Sequence, residues 1–189
     1  MMRGVVLCGG ESKRMGRDKG LLSIGQLTWA ELAAKKLCEL KIPVIVSVNK
    51  AQLNDYACVF DPTALIVDQV AVKGPLTGLM SVHLAYPDDD LLLLACDMTD
   101  MDVPTLQRLK NCAIASSGFD CYSYLNEDGL LEPLCSLYTS KMLKKLGQEL
   151  QHGGLSSFSL RYLIKQRSYK TIPIADHCHF NNHNTSDTI

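Results

Sequence analysis

Four short apolar runs, three of them stopping at a glycine or an aspartate, constrain this chain more than any other feature. They are residues 3–8 (RGVVLC), 43–48 (PVIVSV), 64–67 (ALIV) and 90–96 (DLLLLAC). Runs this short and this continuously apolar suit strands buried on both faces. Between them lie segments with helical spacing. Residues 28–40 place Leu32, Ala33, Lys36, Leu37 and Leu40 at helical intervals, and Thr28 with Glu31 forms a potential capping box. Residues 76–86 read as a helix opened by Gly74-Pro75, and residues 103–112 as a helix with Pro104 in its first turn. Alternating strand and helix predicts a parallel sheet with helices on both faces.

After residue 117 the pattern changes. Residues 119–125 and 134–138 flank the turn Asn126-Glu127-Asp128-Gly129 and predict two strands, at least one of them antiparallel. Residues 130–137 read as a core strand. Helices are expected over 140–151 and 156–166, a late strand over 168–174, and a polar tail from Asp176. The expected class is a Rossmann-like three-layer α/β/α fold, its sheet mostly parallel, in a single domain over residues 1–189.

Composition narrows the function classes. Hydrophobic residues make up 47% and charged residues 21% of the 189, too apolar for a disordered chain. Lys plus Arg is 19 and Asp plus Glu is 20, a formal net charge of -1 that disfavours a basic nucleic-acid clamp. The longest apolar run, residues 91–96, is far below the roughly 20 residues of a membrane span, and residues 1–8 do not read as a signal peptide. Eight cysteines are scattered without a CxxC pair and read as small buried hydrophobes. These features point to a reduced, cytoplasmic protein that binds neither nucleic acid nor membrane.

In open α/β sheets ligands bind beyond the carboxyl ends of the strands. Gly9-Gly10, Asp68 and Asp97 all stand there. The first loop, Leu7 to Lys19, joins three glycines, Gly9, Gly10 and Gly16, to four cations: Lys13, Arg14, Arg17 and Lys19. Glycine backbone approaches an anion closely, so the loop reads as a phosphate site. Neither a Walker A nor a GxGxxG spacing is present. Asp97 ends an apolar strand, where an ionised carboxylate needs a partner, and a hard carboxylate near phosphates suits Mg2+. Asp100 or Asp102 is better placed than Asp97 to cap the next helix. His177, Cys178, His179 and His183 fall in the polar tail. On a strand only His177 and His179 would share a face, and the segment reads as a polar mouth rather than a metal site.

The segment LCGGESKRMGRDKGLL resembles the signature LAGGxSxRMGxDKxLL of the molybdenum cofactor guanylyltransferases. The likeness continues at Gly74-Pro75-Leu76-Thr77-Gly78, at Cys96-Asp97, at Glu132-Pro133-Leu134 and at Asn182-His183-Asn184-Thr185, in the family's order. Ser47 stands where these guanylyltransferases often carry Asn. Thr99 and Ser186 replace prolines of the family pattern.

The resemblance implies a nucleotidyltransferase that moves GMP from GTP to the terminal phosphate of molybdopterin carrying molybdenum, with release of pyrophosphate. Cytidylyl transfer to the same pterin, or transfer to a sugar phosphate, is the alternative. It implies that Leu7, Cys8 and Gly9 contact nucleotide by main chain, that Lys19 meets the phosphates, and that Asp68 lies near base or ribose. It also implies that Asp97 binds nucleotide and Mg2+, that Arg14, Lys19 and Asp97 serve catalysis, and that Asn182 and Asn184 face the pterin. GTP, molybdopterin and molybdoenzyme-maturation proteins are the implied partners.

Overall fold

A computed structural model describes residues 1–9, 18–181 and 183. The chain runs through β1 (Met2–Leu7), a small hairpin of β2 (Ser23–Ile24) and β3 (Leu27–Thr28), α1 (Trp29–Cys38), β4 (Val44–Val48) and α2 (Leu53–Tyr56). It continues through β5 (Leu65–Val67), α3 (Leu76–Ala85), β6 (Asp90–Ala95), α4 (Val103–Ala115), β7 (Cys121–Leu125) and β8 (Leu131–Tyr138). The last elements are α5 (Ser140–Gln151), α6 (Leu160–Lys165) and β9 (Tyr169–Pro173).

Seven strands pair in the order β5-β4-β1-β6-β8-β7-β9, and β8 alone runs against its neighbours. This is the mostly parallel sheet with one reversed strand that the sequence predicts. Alternation sends β1 side chains to opposite faces. Val6, with Leu92 and Leu94 of β6, packs under α1 and α4 against Ala33, Leu37, Leu106 and Leu109. Val5, Leu7, Leu91 and Leu93 pack on the other face under α3, α5 and α6. Both faces are therefore covered, as uniformly apolar strands require.

Register positions the site. Leu7 of β1 stands beside Ser47 of β4 and Ala95 of β6, so the strand ends are level. The ladder extends one residue further: Cys8 N donates to Ser47 O (3.0 Å), Cys96 N to Leu7 O (3.2 Å) and Asp68 N to Val48 O (2.8 Å). One rim therefore carries Cys8, Asp68 and Cys96, with Gly9 and Asp97 one residue beyond.

The helix ends follow their caps. Thr28 and Glu31 form the expected capping box at α1. Asp102 caps α4 by accepting from Thr105 N at 2.9 Å, which leaves Asp97 free of that structural duty. Other boundaries move. β8 starts at Leu131 rather than 134, and the helix expected over 156–166 spans only Leu160–Lys165. Ser157 Oγ accepts from Ser159 N, and Ser159 Oγ accepts from Tyr162 N as the N-cap, so the helix begins after them. The tail segment His177–Phe180 is a 3-10 turn capped by Asp176. The eight cysteines are free thiols. Cys8, Cys96, Cys121 and Cys135 are buried as small hydrophobes, whereas Cys38, Cys58 and Cys178 are exposed. Among the described residues no helix is long and apolar enough to cross a membrane.

Gly78 lets α3 lie close over the rim. A Cβ there would reach within 2.7 Å of Leu7 Cδ2 and would overlap Ser47 Oγ. Gly78→Ala is expected to cost about 1–3 kcal/mol, the usual price of overpacking, in spite of the better helix propensity of alanine. Urea denaturation of the two proteins measures it; a stabilised variant would contradict this packing.

Candidate active site

At the rim, backbone leaves β1 through Cys8 and Gly9 and returns at Asp18, which caps a 3-10 turn over Lys19–Leu21. Lys19, on this turn, comes back to the opposite wall. Its Nζ lies 3.6 Å from Asp97 Oδ2, and both side chains keep about a quarter of their surface open. Leu7, Cys8, Gly9, Asp18, Lys19, Ala95, Cys96 and Asp97 line one pocket, closed at its far side by Pro75 and Leu134. Five of the residues predicted to bind nucleotide thus meet: Leu7, Cys8, Gly9, Lys19 and Asp97. Arg14, Asn182 and Asn184 lie outside the described residues.

Asp68 stands further along the rim, behind Gly9. A Cβ on Gly9 would sit 2.6 Å from Asp68 Oδ2, so the main chain passes directly over this carboxylate only because residue 9 has no side chain. Ser47, fully buried, donates to Asp68 Oδ1 at 2.7 Å. Burial pushes the Asp68 carboxyl above its ordinary range, and the Ser47 hydroxyl offsets part of that.

The pocket has a second carboxylate with a different surrounding. Asp18 accepts from Gly20 N (2.9 Å), Tyr56 Oη (3.0 Å) and Gln52 Nε2 (2.5 Å). Those three donors occupy it, which leaves Asp97 as the more open acid. Burial, with the neighbouring Cys96 thiol, pushes the Cys8 thiol well up, so Cys8 meets the pocket as a neutral group.

The tail reaches the same rim. His183 N donates to Asp97 O at 3.0 Å and His183 Nε2 lies 2.7 Å from Asp100 Oδ2. Thr99, in place of the family proline, accepts Lys36 Nζ on its carbonyl at 2.5 Å. His177 and His179 do not share a face as strand alternation predicts. On the 3-10 turn, His177 pairs with Glu127 (3.3 Å) and His179 with Asp102 (3.5 Å). The ligand atoms that approach one another, within 4.8 Å, belong to Asp176, Cys178 and His179.

A family model for the MobA-like NTP transferase domain matches residues 4–168, from β1 to the start of β9. The chain belongs to this family. It is a nucleotidyltransferase by that membership, and four of the quoted motifs contribute to the rim pocket, through Leu7–Gly9 with Asp18 and Lys19, Pro75, Cys96 with Asp97, and Leu134. A probable molybdenum cofactor guanylyltransferase of Peptoclostridium acidaminophilum is 27% identical over 160 residues, covering 82% of this chain and 70% of the relative. Another, from Methanothermobacter thermautotrophicus, is 30% identical over 141 residues, 72% of this chain and 71% of the relative. The crystal structure of molybdopterin-guanine dinucleotide biosynthesis protein A from Archaeoglobus fulgidus has the same fold, with a TM-score of 0.76 at 17% identity, covering 98% of this chain and 94% of that one.

Sequence reasoning left Gln52 and Tyr56 unread and gave Asp18 no role. Asp18 carried a signal, as the acid of the Asp-Lys pair. Gln52 and Tyr56 carried none, because α2 has four residues, too few to show a period.

Asp68 makes pH a probe of this site. Its raised pKa means that the charged form is penalised in the folded state, a cost present above that pKa and lost as pH falls through it. Asp68→Asn should therefore be at least as stable as the parent protein at neutral pH, with the difference shrinking toward acid. Thermal melts across the acid range check this, and a gap that widens toward acid would contradict it.

Proposed function

We propose that the protein transfers GMP from GTP to the terminal phosphate of molybdopterin carrying molybdenum, releasing pyrophosphate. The observation that carries this reading is the convergence of Lys19 and Asp97 on the pocket floored by the Cys8-Gly9 backbone, in a chain of this family. Asp68 and Asp97 follow strands three places apart in the sheet, and with the Asp68 carboxylate against Gly9 they span the Cys8-Gly9 backbone between them. That span suits a nucleotide lying across the rim, base toward Asp68 and phosphates toward Asp97.

The chemistry follows from charge. The attacking pterin phosphate oxygen is already anionic and needs no strong general base. It forms a bond to the α-phosphorus of GTP, the bond from that phosphorus to the bridging oxygen breaks, and pyrophosphate leaves with the electron pair. Catalysis then consists of alignment and neutralisation. Gly9, without a side chain, lets backbone approach the phosphates. Lys19 meets the charge that grows on the departing β- and γ-phosphates. Asp68 only accepts hydrogen bonds when ionised, which favours a base edge offering donors, as guanine does.

Asp97 fits Mg2+. It offers a hard oxygen, it is partly open with Lys19 Nζ at 3.6 Å, and the ion usually takes one or two carboxylates plus substrate phosphates. When bound, Mg2+ would supply charge neutralisation at the phosphate oxygens. We place the reaction in the cytoplasm, which the free cysteines suit. Molybdoenzyme-maturation proteins are the natural recipients of the product.

Asp97→Ala should abolish Mg2+-dependent turnover in a protein that still folds; retained turnover would refute the assignment. Lys19→Ala should lower kcat by about 10²-fold or more, with a smaller effect on GTP affinity, and a kcat within about twofold of the parent would reject the role. In thermal-shift titrations with Mg2+, GTP should stabilise the protein more than CTP. An equal or larger shift with CTP would favour the cytidylyl reading.

A further inference from the structure

Gln52 lies outside the family signature, on the turn before α2, yet its amide joins both arms of the pocket floor. Gln52 Nε2 donates to Cys8 O at 3.0 Å and to Asp18 Oδ2 at 2.5 Å. Gln52 Oε1 accepts from Asn49 N at 2.8 Å. That third bond fixes which way the amide faces, because only its oxygen can accept from a backbone N–H, so both amide hydrogens are aimed at Cys8 and Asp18. Asn49 Oδ1 in turn accepts from Ala51 N and Gln52 N, which anchors the turn to the end of β4. Tyr56, one helical turn on and fully buried, donates its hydroxyl to the other Asp18 oxygen. Gly20 packs against the same ring, where any Cβ would collide with Tyr56 Oη.

We infer that Gln52, aided by Tyr56, is a clasp that joins the outgoing strand end at Cys8 to the returning turn at Asp18 and so positions Lys19 opposite Asp97. The inference rests on the nucleotidyl-transfer reading of the pocket. Gln52 and Tyr56 both donate to Asp18 and act through it on the adjoining Lys19, so they are positioning residues. The physical logic is one of fixed distance. An ammonium on a flexible stem stabilises growing phosphate charge only if its backbone is held where the charge appears. Two neutral donors suit the task better than a second cation, because they fill the Asp18 carboxylate without competing with Lys19 for the substrate.

The test combines kinetics with a measurement that needs no turnover. Gln52→Ala should lower kcat by about 10- to 100-fold with a smaller change in KM for GTP. In a Lys19→Ala background the same change should cost less than about twofold, because its target is already gone. Equal losses in both backgrounds would overturn the clasp and mark Gln52 as a general structural residue. Tyr56→Phe, which removes one hydroxyl and keeps the buried ring, should shift kcat in the same direction by less. Amide hydrogen exchange of the ligand-free protein supplies the second readout. Gln52→Ala should speed exchange at Gly20, Leu21 and Leu22, whose N–H groups bond to Asp18 and Lys19, while the central strands keep their protection. Unchanged exchange there would overturn the clasp even in an active enzyme. Faster exchange in a protein whose parent form transfers no nucleotide would uphold the clasp and remove the proposed reaction instead.

Discussion

Level pairing of β1 with β4 and β6 is the constraint on which the rest of the site depends. Parallel strands in register end together, and here the backbone ladder carries that alignment past the strands into Cys8, Asp68 and Cys96. Slipping one strand by a residue would turn its apolar side chains to the wrong faces, so both packed layers enforce the register that aligns the rim. α3 adds a second enforcement. Its close approach at Gly78 presses on Leu7 and Ser47, and Ser47 hands the contact to Asp68 through its hydroxyl. The position of the Asp68 carboxylate is thereby set in part by the packing of α3.

Three aspartates share this rim, and their surroundings give them separate work. Asp18 has its oxygens filled by an amide, a phenol and a backbone N–H, so it organises the chain around it. Asp68 is half-buried with a single hydroxyl on one oxygen, and desolvation raises its pKa. Asp97 faces Lys19 across an open pocket, the arrangement suited to an incoming cation and phosphates. The residue type is the same in each case; donors and water decide what it does.

The legible parts of the sequence were those in which local and global signals agree. The four apolar runs became strands because nothing else buries so many leucines and valines on two faces. Thr28, Glu31 and Asp102 marked helix starts because their side chains have a specific orphan N–H to satisfy. Of the site, the residues at strand ends were readable from position, and Lys19 from the loop's cations together with the family resemblance. The hairpin of β2 and β3 was not readable, since two-residue strands carry no alternation. The tail from Asp176 read only as polar, and the turn that an Asp176 cap winds over His177–Phe180 carried no periodic signal. Gln52 and Tyr56 were invisible for another reason: their contacts run 34 and 38 residues back along the chain, and no local pattern encodes a partner that distant.

The reaction proposed for this rim is attack of a pterin phosphate on the α-phosphorus of GTP. Following label from GTP through a single turnover with molybdenum-loaded molybdopterin and Mg2+ tests it most directly. Label at the α-phosphorus should appear in the pterin dinucleotide, and label at the γ-phosphorus in pyrophosphate. Release of γ-label as inorganic phosphate, or of α-label as free GMP, with none in a dinucleotide would contradict the account.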